Sequence, residues 1–386
     1  MSKRVIIYQD GLLSYSETFI KKQALALTQW QPVLVGHKYI RSGLPLESLQ
    51  AQLLFPEGAS TLRRLLYQIY RWQNKADPIG LKTLKQLNAQ LVHAHFGTSA
   101  VDIWPYVKQI GLPMLVTLHG FDISIKKEWW ESGKRGRRKK AYPKRLLQLA
   151  QEPNVHFLAV STAIKKRAVE FGIPEDKITI SYIGVDTESF QPGNVPLTQR
   201  RNRILYIGRL VEKKGATYLL KAFAKVKAQV SDAELVIVGK GPLEPQLVRQ
   251  IEELTIKDVR FTGALSSEEV KTEIDNAKIF CLPSITAENG DAEGLPISIL
   301  EAQASGIFVV TSSSGGVGDN LIHDKTCFMF KEKDSEELAS LLIRLLENSE
   351  PYLPVLRTQE KFIKEKFQLV DCAVKLEQVY DKYGKP

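Results

Sequence analysis

Short apolar runs rich in β-branched residues alternate along the chain with longer stretches whose apolar positions recur every three or four residues. The first pattern suits strands buried on both faces and the second suits the helices that cover them, so the alternation predicts βαβ units and parallel sheets. In the first half the predicted strands are Arg4 to Tyr8, Pro32 to Gly36, Leu91 to His95, Met114 to Leu118, Val155 to Val160 and Ile178 to Tyr182. In the second half they are Arg203 to Ile207, Glu234 to Val238, Val259 to Thr262, Ile279 to Leu282 and Phe308 to Thr311. Each half therefore reads as a doubly wound α/β domain. Between them the stretch from Asp186 to Arg203 is polar and punctuated by Pro and Gly, as linkers are. The expected boundary lies near Gln191, giving domains 1–190 and 191–386. After Asp334 the pattern is helical to the end, and a terminal helix could pack back on the first domain. Two such domains facing across a cleft would take ligands between the carboxyl ends of their sheets.

Composition narrows the class without naming a function. With 386 residues, 44% hydrophobic and 25% charged, the chain has the make-up of a folded globular protein of about two domains, not of a disordered or low-complexity one. Gln9 and Asp10 interrupt the first apolar run before a signal-peptide core could form, and no run approaches the roughly 18 apolar residues of a spanning helix. Cys281, Cys327 and Cys372 are widely spaced and lack zinc-ligand spacing, which suits a reducing cytoplasm. Charge adds more. The net value is +10, but residues 1–195 hold 27 basic and 15 acidic side chains while the remainder holds 26 and 28. Lys126 to Arg145 alone contains ten basic and two acidic residues around Trp129, Trp130 and Tyr142. This asymmetry suits a half that meets an anionic surface; a solvated helix and loop accounts for it equally.

Candidate chemistry sits at the predicted strand ends. No GxGxxG or Walker motif follows any strand; the nearest glycine groups are Gly239-Lys240-Gly241-Pro242 and Gly315-Gly316-Val317-Gly318, and Pro242 turns the former into a helix entry. Hydride chemistry is thereby disfavoured. The strand ending at Ile207 delivers Arg209, with Lys213 and Lys214 next and a helix beginning about Gly215, a combination suited to a diphosphate. A surface loop with one salt bridge is the plain alternative. Farther on, Glu293 precedes Gly294 and Leu295, with Glu301 eight positions along inside a predicted helix, so that both carboxylates could share one helical face. Glu301 could also be a buried structural carboxylate. In the first half, His119 ends a strand before Gly120 and Asp122, a placement that would face the cleft. The loop after the first strand offers Gly11, Ser14, Ser16, Glu17 and Thr18, with Ser16 a candidate helix cap. His93 and His95 alternate on a strand like a metal pair but lack an evident third ligand, and no metal is expected.

Taken in order, SETFI, HAHFG, LHGFD, YIGVDTESFQP, YIGRLVEKKG, GKGP, FTGAL and EGLPISILEA resemble the retaining glycosyltransferases of the GT-B type, specifically the large fourth family, and within it bacterial exopolysaccharide transferases. The resemblance spans nearly the whole chain. It implies two Rossmann-like domains and transfer of a sugar, glucose by preference, from a UDP-sugar to a carbohydrate or lipid-linked acceptor. It also implies that Arg209 and Lys214 bind the diphosphate, Glu301 accepts the ribose hydroxyls, and Glu293, Gly294 and Leu295 hold the sugar. Gly239 and Leu265 of the GKGP and FTGAL motifs would border the nucleotide, His119 would approach the sugar and its phosphate, and the loop with Gly11 and Ser16 would close beneath. The implied setting is the cytoplasm, with peripheral contact to an anionic membrane through the basic segment, Trp129 and Trp130 entering the headgroup layer, and no nucleic-acid partner. An epimerase or phosphorylase of the same fold is the alternative. The chain departs from the family where Gly318 and Asp319 follow Gly-Gly-Val in place of proline and glutamate, and where Phe308 stands in place of a common proline.

Overall fold

The computed structural model describes residues 3–41, 43–56, 58–313, 319 and 321–385. The chain divides into two compact units, residues 1–183 with 370–386, and residues 184–369. In the first unit the strands are β1 Lys3–Tyr8, β2 Gly11–Leu12, β3 Trp30–Gly36, β4 Lys38–Tyr39, β5 Gln50–Leu53, β6 Leu91–His95, β7 Met114–Leu118, β8 Val155–Ala159 and β9 Ile178–Ile180. Seven of them form a parallel sheet in the order β5-β3-β1-β6-β7-β8-β9, and β2 pairs with β4 at its side. In the second unit β10 Arg203–Ile207, β11 Glu234–Val238, β12 Val259–Gly263, β13 Ile279–Leu282, β14 Phe308–Ser312 and β15 Phe328–Phe330 form a parallel sheet ordered β12-β11-β10-β13-β14-β15.

Both sheets are doubly wound, for the reason their sequences suggest. Val5, Ile6, Val33, Val92 and Val116 in one sheet and Ile204, Leu205, Ile237, Phe280 and Val309 in the other are fully buried, so helices must cover both faces. The chain runs outward from β1 to β5 and from β10 to β12, then returns to the centre at β6 and β13. Each unit therefore has a reversal of strand order, beside β1 and β6 in one and beside β10 and β13 in the other, where the loops diverge and leave a crevice at the carboxyl edge.

All eleven predicted strands appear with ends shifted by no more than two residues, and β2, β4, β5 and β15 are additional to them. The boundary also differs from the expected 190/191. Val185 donates its backbone N–H to Phe367 O at 2.7 Å and accepts one from Leu369 at 2.9 Å, so residues 184–190 join the second unit. The helix Leu369–Tyr383 then carries the chain back to the first unit. The Gly315-Gly316-Val317-Gly318 group lies outside the described residues. No helix among the described residues is long and apolar enough to cross a membrane.

What fixes the returning helix is a buried carboxylate. Glu377 is 1% exposed and accepts backbone N–H bonds from Thr28 at 2.8 Å, Gln29 at 2.6 Å and Trp30 at 3.0 Å, with Thr28 Oγ1 at 3.1 Å. Tyr380, one turn on, packs edge-on against Trp30 and bonds His93 Nδ1 at 2.6 Å. Glu377→Ala strands three backbone donors at the start of β3. Thr28 and Gln29 are exposed, so water can take up their N–H groups and the buried Trp30 donor carries the cost; the first unit should lose about 1 to 3 kcal/mol. Calorimetry should show an earlier transition, and hydrogen exchange at residues 28–30 should accelerate; an unchanged melting profile would contradict this account.

Candidate functional site

The crevice of the second unit is built by loops packed backbone to backbone. Gly239, just past β11, has φ +133°, and a Cβ there would lie 2.0 Å from Gly208 O. Gly215, at the mouth of the helix Ala216–Gln229, has φ +67°, and its Cβ would meet Pro283 O at 1.8 Å. Only glycine permits either approach. The loop after β10 is also tied across to the next one, Leu210 N to Lys240 O at 3.0 Å and Leu243 N to Leu210 O at 3.1 Å.

This packing sets two lysines against a buried carboxylate. Lys214 Nζ lies 3.1 Å from Glu293 Oε2, and Lys213 Nζ lies 3.0 Å from Asp291 Oδ1 and 3.6 Å from Glu293 Oε1. Both partners of the Lys214–Glu293 pair are nearly dry, with side chains 12% and 8% exposed. Burial alone would raise the Glu293 pKa, but Lys214 first, then Lys213 and Arg209, hold it at about 2. Burial draws Lys214 below the ordinary lysine value, against the pull of Glu293. Glu293 Oε1 is buried and has no hydrogen-bond partner. Arg209 is exposed and makes no ion pair among the described residues. Its carbonyl is fixed by Tyr206 OH at 3.2 Å, which leaves the guanidinium available to an anion.

Glu301 is buried on the helix Ile297–Ala304. The expected shared helical face with Glu293 is not found. Pro296 holds an extended backbone (ψ 110°) and the helix starts after it, so Glu293 stands in the preceding loop. Gly294 and Leu295 are buried beside it, and Leu265 is half-buried in the loop after β12. Arg209, Lys214 and Glu293 are thus brought together within one unit, while His119, Gly11 and Ser16 belong to the other. Phe308, the departure from proline, is the buried first residue of β14 and packs edge-on against Phe328.

In the first unit, His119 follows β7 beneath Phe96 and Phe19, with ring centroids 4.4 and 5.1 Å away. Its Nε2 shares a hydrogen bond of 3.0 Å with His95 Nδ1. Burial first, and then His93, push its pKa down to about 3, so the ring is neutral at pH 7. Asp122 closes this loop, accepting N–H bonds from Gly97 at 2.8 Å, Gly120 at 2.9 Å and His119 at 3.2 Å. HAHFG and LHGFD are therefore parts of one structure, which spacing alone did not reveal. His93 is engaged by Tyr380 and Thr117, and no group of His, Cys, Asp or Glu among the described residues is arranged to hold a metal.

Ser16 does not cap the helix Thr18–Leu25. Glu17 takes the cap position, its carboxylate accepting from Ser14 N and from Gln9 Nε2, both at 2.6 Å, while Ser16 is exposed. Gly11, Ser14 and Glu17 line a cavity of about 310 Å³ with Asp10, Phe96, Arg135 and Lys139. Arg135 and Lys139 were seen in the sequence only as part of a basic run. The Arg135 guanidinium lies over Phe121, Trp129 and Trp130 at 5.6, 5.8 and 5.9 Å. The basic segment also corrects the headgroup expectation: Trp130 is 1% exposed and packed on Tyr142 at 4.7 Å, so it cannot enter lipid without unfolding its surroundings. Arg138 and Lys139 are spent on the buried Asp102, at 2.8 and 3.4 Å.

Two doubly wound parallel sheets, each with a crevice at its strand reversal and one lined by cations, define the GT-B class of architecture. The solved structure of Anabaena HepE in complex with UDP and glucose superposes with a TM-score of 0.79 at 16% identity, covering 98% of this chain and 100% of that one. Residues 188–367 match the family described as Glycosyl transferases group 1, and residues 52–189 match Glycosyltransferase Family 4. The amylovoran biosynthesis glycosyltransferase AmsK of Erwinia amylovora is 31% identical over 72% of this chain and 66% of its own length. The putative colanic acid biosynthesis glycosyltransferase WcaL of Escherichia coli K12 is 30% identical over 72% and 67%. The chain spans about two thirds of the length of these relatives, and it belongs to this glycosyltransferase family.

The buried ion pair gives a pH signature. Glu293 has its folded pKa depressed from 4.5 to about 2, so its contribution is present above about pH 4.5 and is lost as pH falls through about 2. That depression corresponds to about 3 kcal/mol. Glu293→Gln should therefore be less stable than the parent in urea at pH 7, with a gap that narrows on acidification toward pH 2. A gap of constant size would show that the carboxylate charge is not what holds the two lysines.

Proposed function

We propose that the protein transfers a glycosyl group, glucose by preference, from a UDP-sugar to a carbohydrate or lipid-linked acceptor in exopolysaccharide biosynthesis, with retention of configuration and without a metal ion. The observation that carries this reading is the cation cluster of Arg209, Lys213 and Lys214 at the carboxyl edge of β10, with the orphaned Glu293 acceptor beside it. The UDP bound by HepE supports the nucleotide, and the names of AmsK and WcaL support the setting.

The chemistry needs charge stabilisation at a departing diphosphate. Arg209 and Lys214 would supply it from fixed positions, with little reorganisation as the bond breaks. Glu293 Oε1, with the backbone at Gly294 and Leu295, would orient the sugar, and Glu301 would accept the ribose hydroxyls, with Gly239 and Leu265 bordering the nucleotide. His119, neutral at pH 7, would offer the sugar a polar contact without repelling a developing oxocarbenium ion. In a front-side displacement the leaving phosphate oxygen takes the acceptor's proton, so no separate base is required. The protein would work in the cytoplasm, reaching a lipid-linked acceptor at an anionic membrane surface and binding no nucleic acid.

A panel of UDP-, GDP- and ADP-sugars tests the donor: slow nucleotide release is expected from UDP-glucose, with product analysis showing an α-linked glycoside and no free epimer. Arg209→Ala and Lys214→Ala should each lower kcat about a hundredfold to a thousandfold while the fold persists. Glu301→Ala should weaken UDP binding by about tenfold or more in calorimetry. Near-normal rates in both cation variants would overturn the diphosphate assignment. Turnover should also survive EDTA, because positive charge comes from side chains; activity abolished by chelation and restored by manganese would favour a metal-clamped transfer.

A further inference from the structure

The helix Thr61–Trp72 carries an apolar face that nothing in its unit covers. Leu62, Leu65, Leu66, Ile69 and Trp72 are 67%, 58%, 47%, 43% and 75% exposed. At 3.6 residues per turn these five lie within about 120° of one another around the helix axis. Single exposed leucines are ordinary, whereas a contiguous stripe of five on one helix is not.

The opposite side of the same helix is firmly seated. Tyr67 is 5% exposed, stacks on Phe55 at 4.5 Å and is hydrogen-bonded to His37. Arg71 reaches Asp10 at 2.6 Å and comes within 3.9 Å of Asp102. The outward stripe is therefore the fixed orientation of an anchored element.

Charge decides what the stripe meets. From Ser60 to Lys75 the basic residues are Arg63, Arg64, Arg71 and Lys75, and there is no acidic one. Arg63 and Arg64 are exposed and leave the helix on either side of the apolar stripe. Asp102, which Arg71 approaches, is also the carboxylate that holds Arg138 and Lys139, so the inner side of this helix and the basic segment meet at one buried anion. Lys134, Arg137, Lys140 and Lys144 of that segment are exposed. An apolar stripe with cationic flanks and a second cationic patch nearby matches a bilayer surface bearing anionic headgroups.

We propose that the helix Thr61–Trp72 lies in the interface of an anionic membrane, with Leu62, Leu65, Leu66, Ile69 and Trp72 inserted below the headgroups and the basic segment supplying the long-range attraction. This rests on the membrane-surface reading above and names the element that performs it. It also moves the aromatic anchor from Trp130, which is buried, to Trp72, whose ring is free to sit at headgroup depth.

Sedimentation with phosphatidylcholine vesicles, with and without phosphatidylglycerol, tests it. The parent chain should bind only the anionic vesicles, less as salt rises, and brominated lipid should quench a Trp signal that Trp72→Phe removes. A variant with Leu62, Leu65, Leu66, Ile69 and Trp72 all changed to Gln alters exposed side chains only, so its thermal transition should match the parent's. Its partition should fall about a hundredfold. A second variant, with Lys134, Arg137, Lys140 and Lys144 changed to Gln, should keep Trp72 quenching once bound but bind about tenfold more weakly at low salt. If the five-Gln variant binds like the parent, the helix assignment fails and the membrane reading stands. If the parent binds no vesicle, both fail; light scattering that then shows a dimer split by the five-Gln variant would make the stripe a contact between two copies.

Discussion

The candidate donor site depends on one steric constraint, the contact of backbone with backbone at the carboxyl edge of the second sheet. Gly239 against Gly208 O and Gly215 against Pro283 O leave no room for a side-chain carbon. Because the loops can close to that distance, Lys213 and Lys214 reach across the reversal between β10 and β13 to Asp291 and Glu293. A β-carbon at either glycine would push the loops apart by more than an ångström. Charge pairs at about 3 Å would lose their contact, and the crevice its shape.

The electrostatic consequence is a site that is balanced inside and unbalanced at its rim. Two lysines share two carboxylates in a nearly dry setting, where an unpaired ion would be costly. Arg209 adds a third cation at the exposed edge, so the cluster as a whole remains positive. An anionic ligand completes it and finds its donors already fixed. Glu293 Oε1 is buried without a hydrogen bond, with Lys213 Nζ 3.6 Å away. The proposed donor site rests on this charge arrangement and not on sheet topology alone.

Much of this was legible from sequence because the strands of a doubly wound sheet are buried on both faces and advertise themselves as apolar runs. β6, β7, β10, β11 and β13 appear with the expected ends. β5 escaped notice because it is the edge strand Gln50–Leu53, whose QAQL sequence is polar at alternate positions, and β15 because three residues make no pattern. The seam at residue 183 was hidden for another reason: Val185 is recruited by Phe367 and Leu369, nearly two hundred positions away, and no local signal reports such a bond. The Glu293–Glu301 spacing misled because helical periodicity was extended through Gly294 and Pro296, residues that keep the helix from starting. An aromatic within a basic run resembles an interfacial anchor, and only the packing of Trp130 on Tyr142 reveals it as a core residue.

The same ambiguity runs the other way in the helix Thr61–Trp72. Its pattern of Leu62, Leu65, Leu66, Ile69 and Trp72 is what a core-facing helix shows, and sequence periodicity cannot say which side of an amphipathic helix its neighbours will cover. Here the buried side is set by polar contacts: Tyr67 with His37, and Arg71 with Asp10. Those bonds are directional and partly dry, and swinging the apolar stripe inward would require breaking them. The polar anchors thus hold an apolar face outward, an arrangement that persists in water only at a solvation cost. An apolar surface that relieves that cost, with cations on its flanks to choose an anionic one, is the environment this element is built to meet.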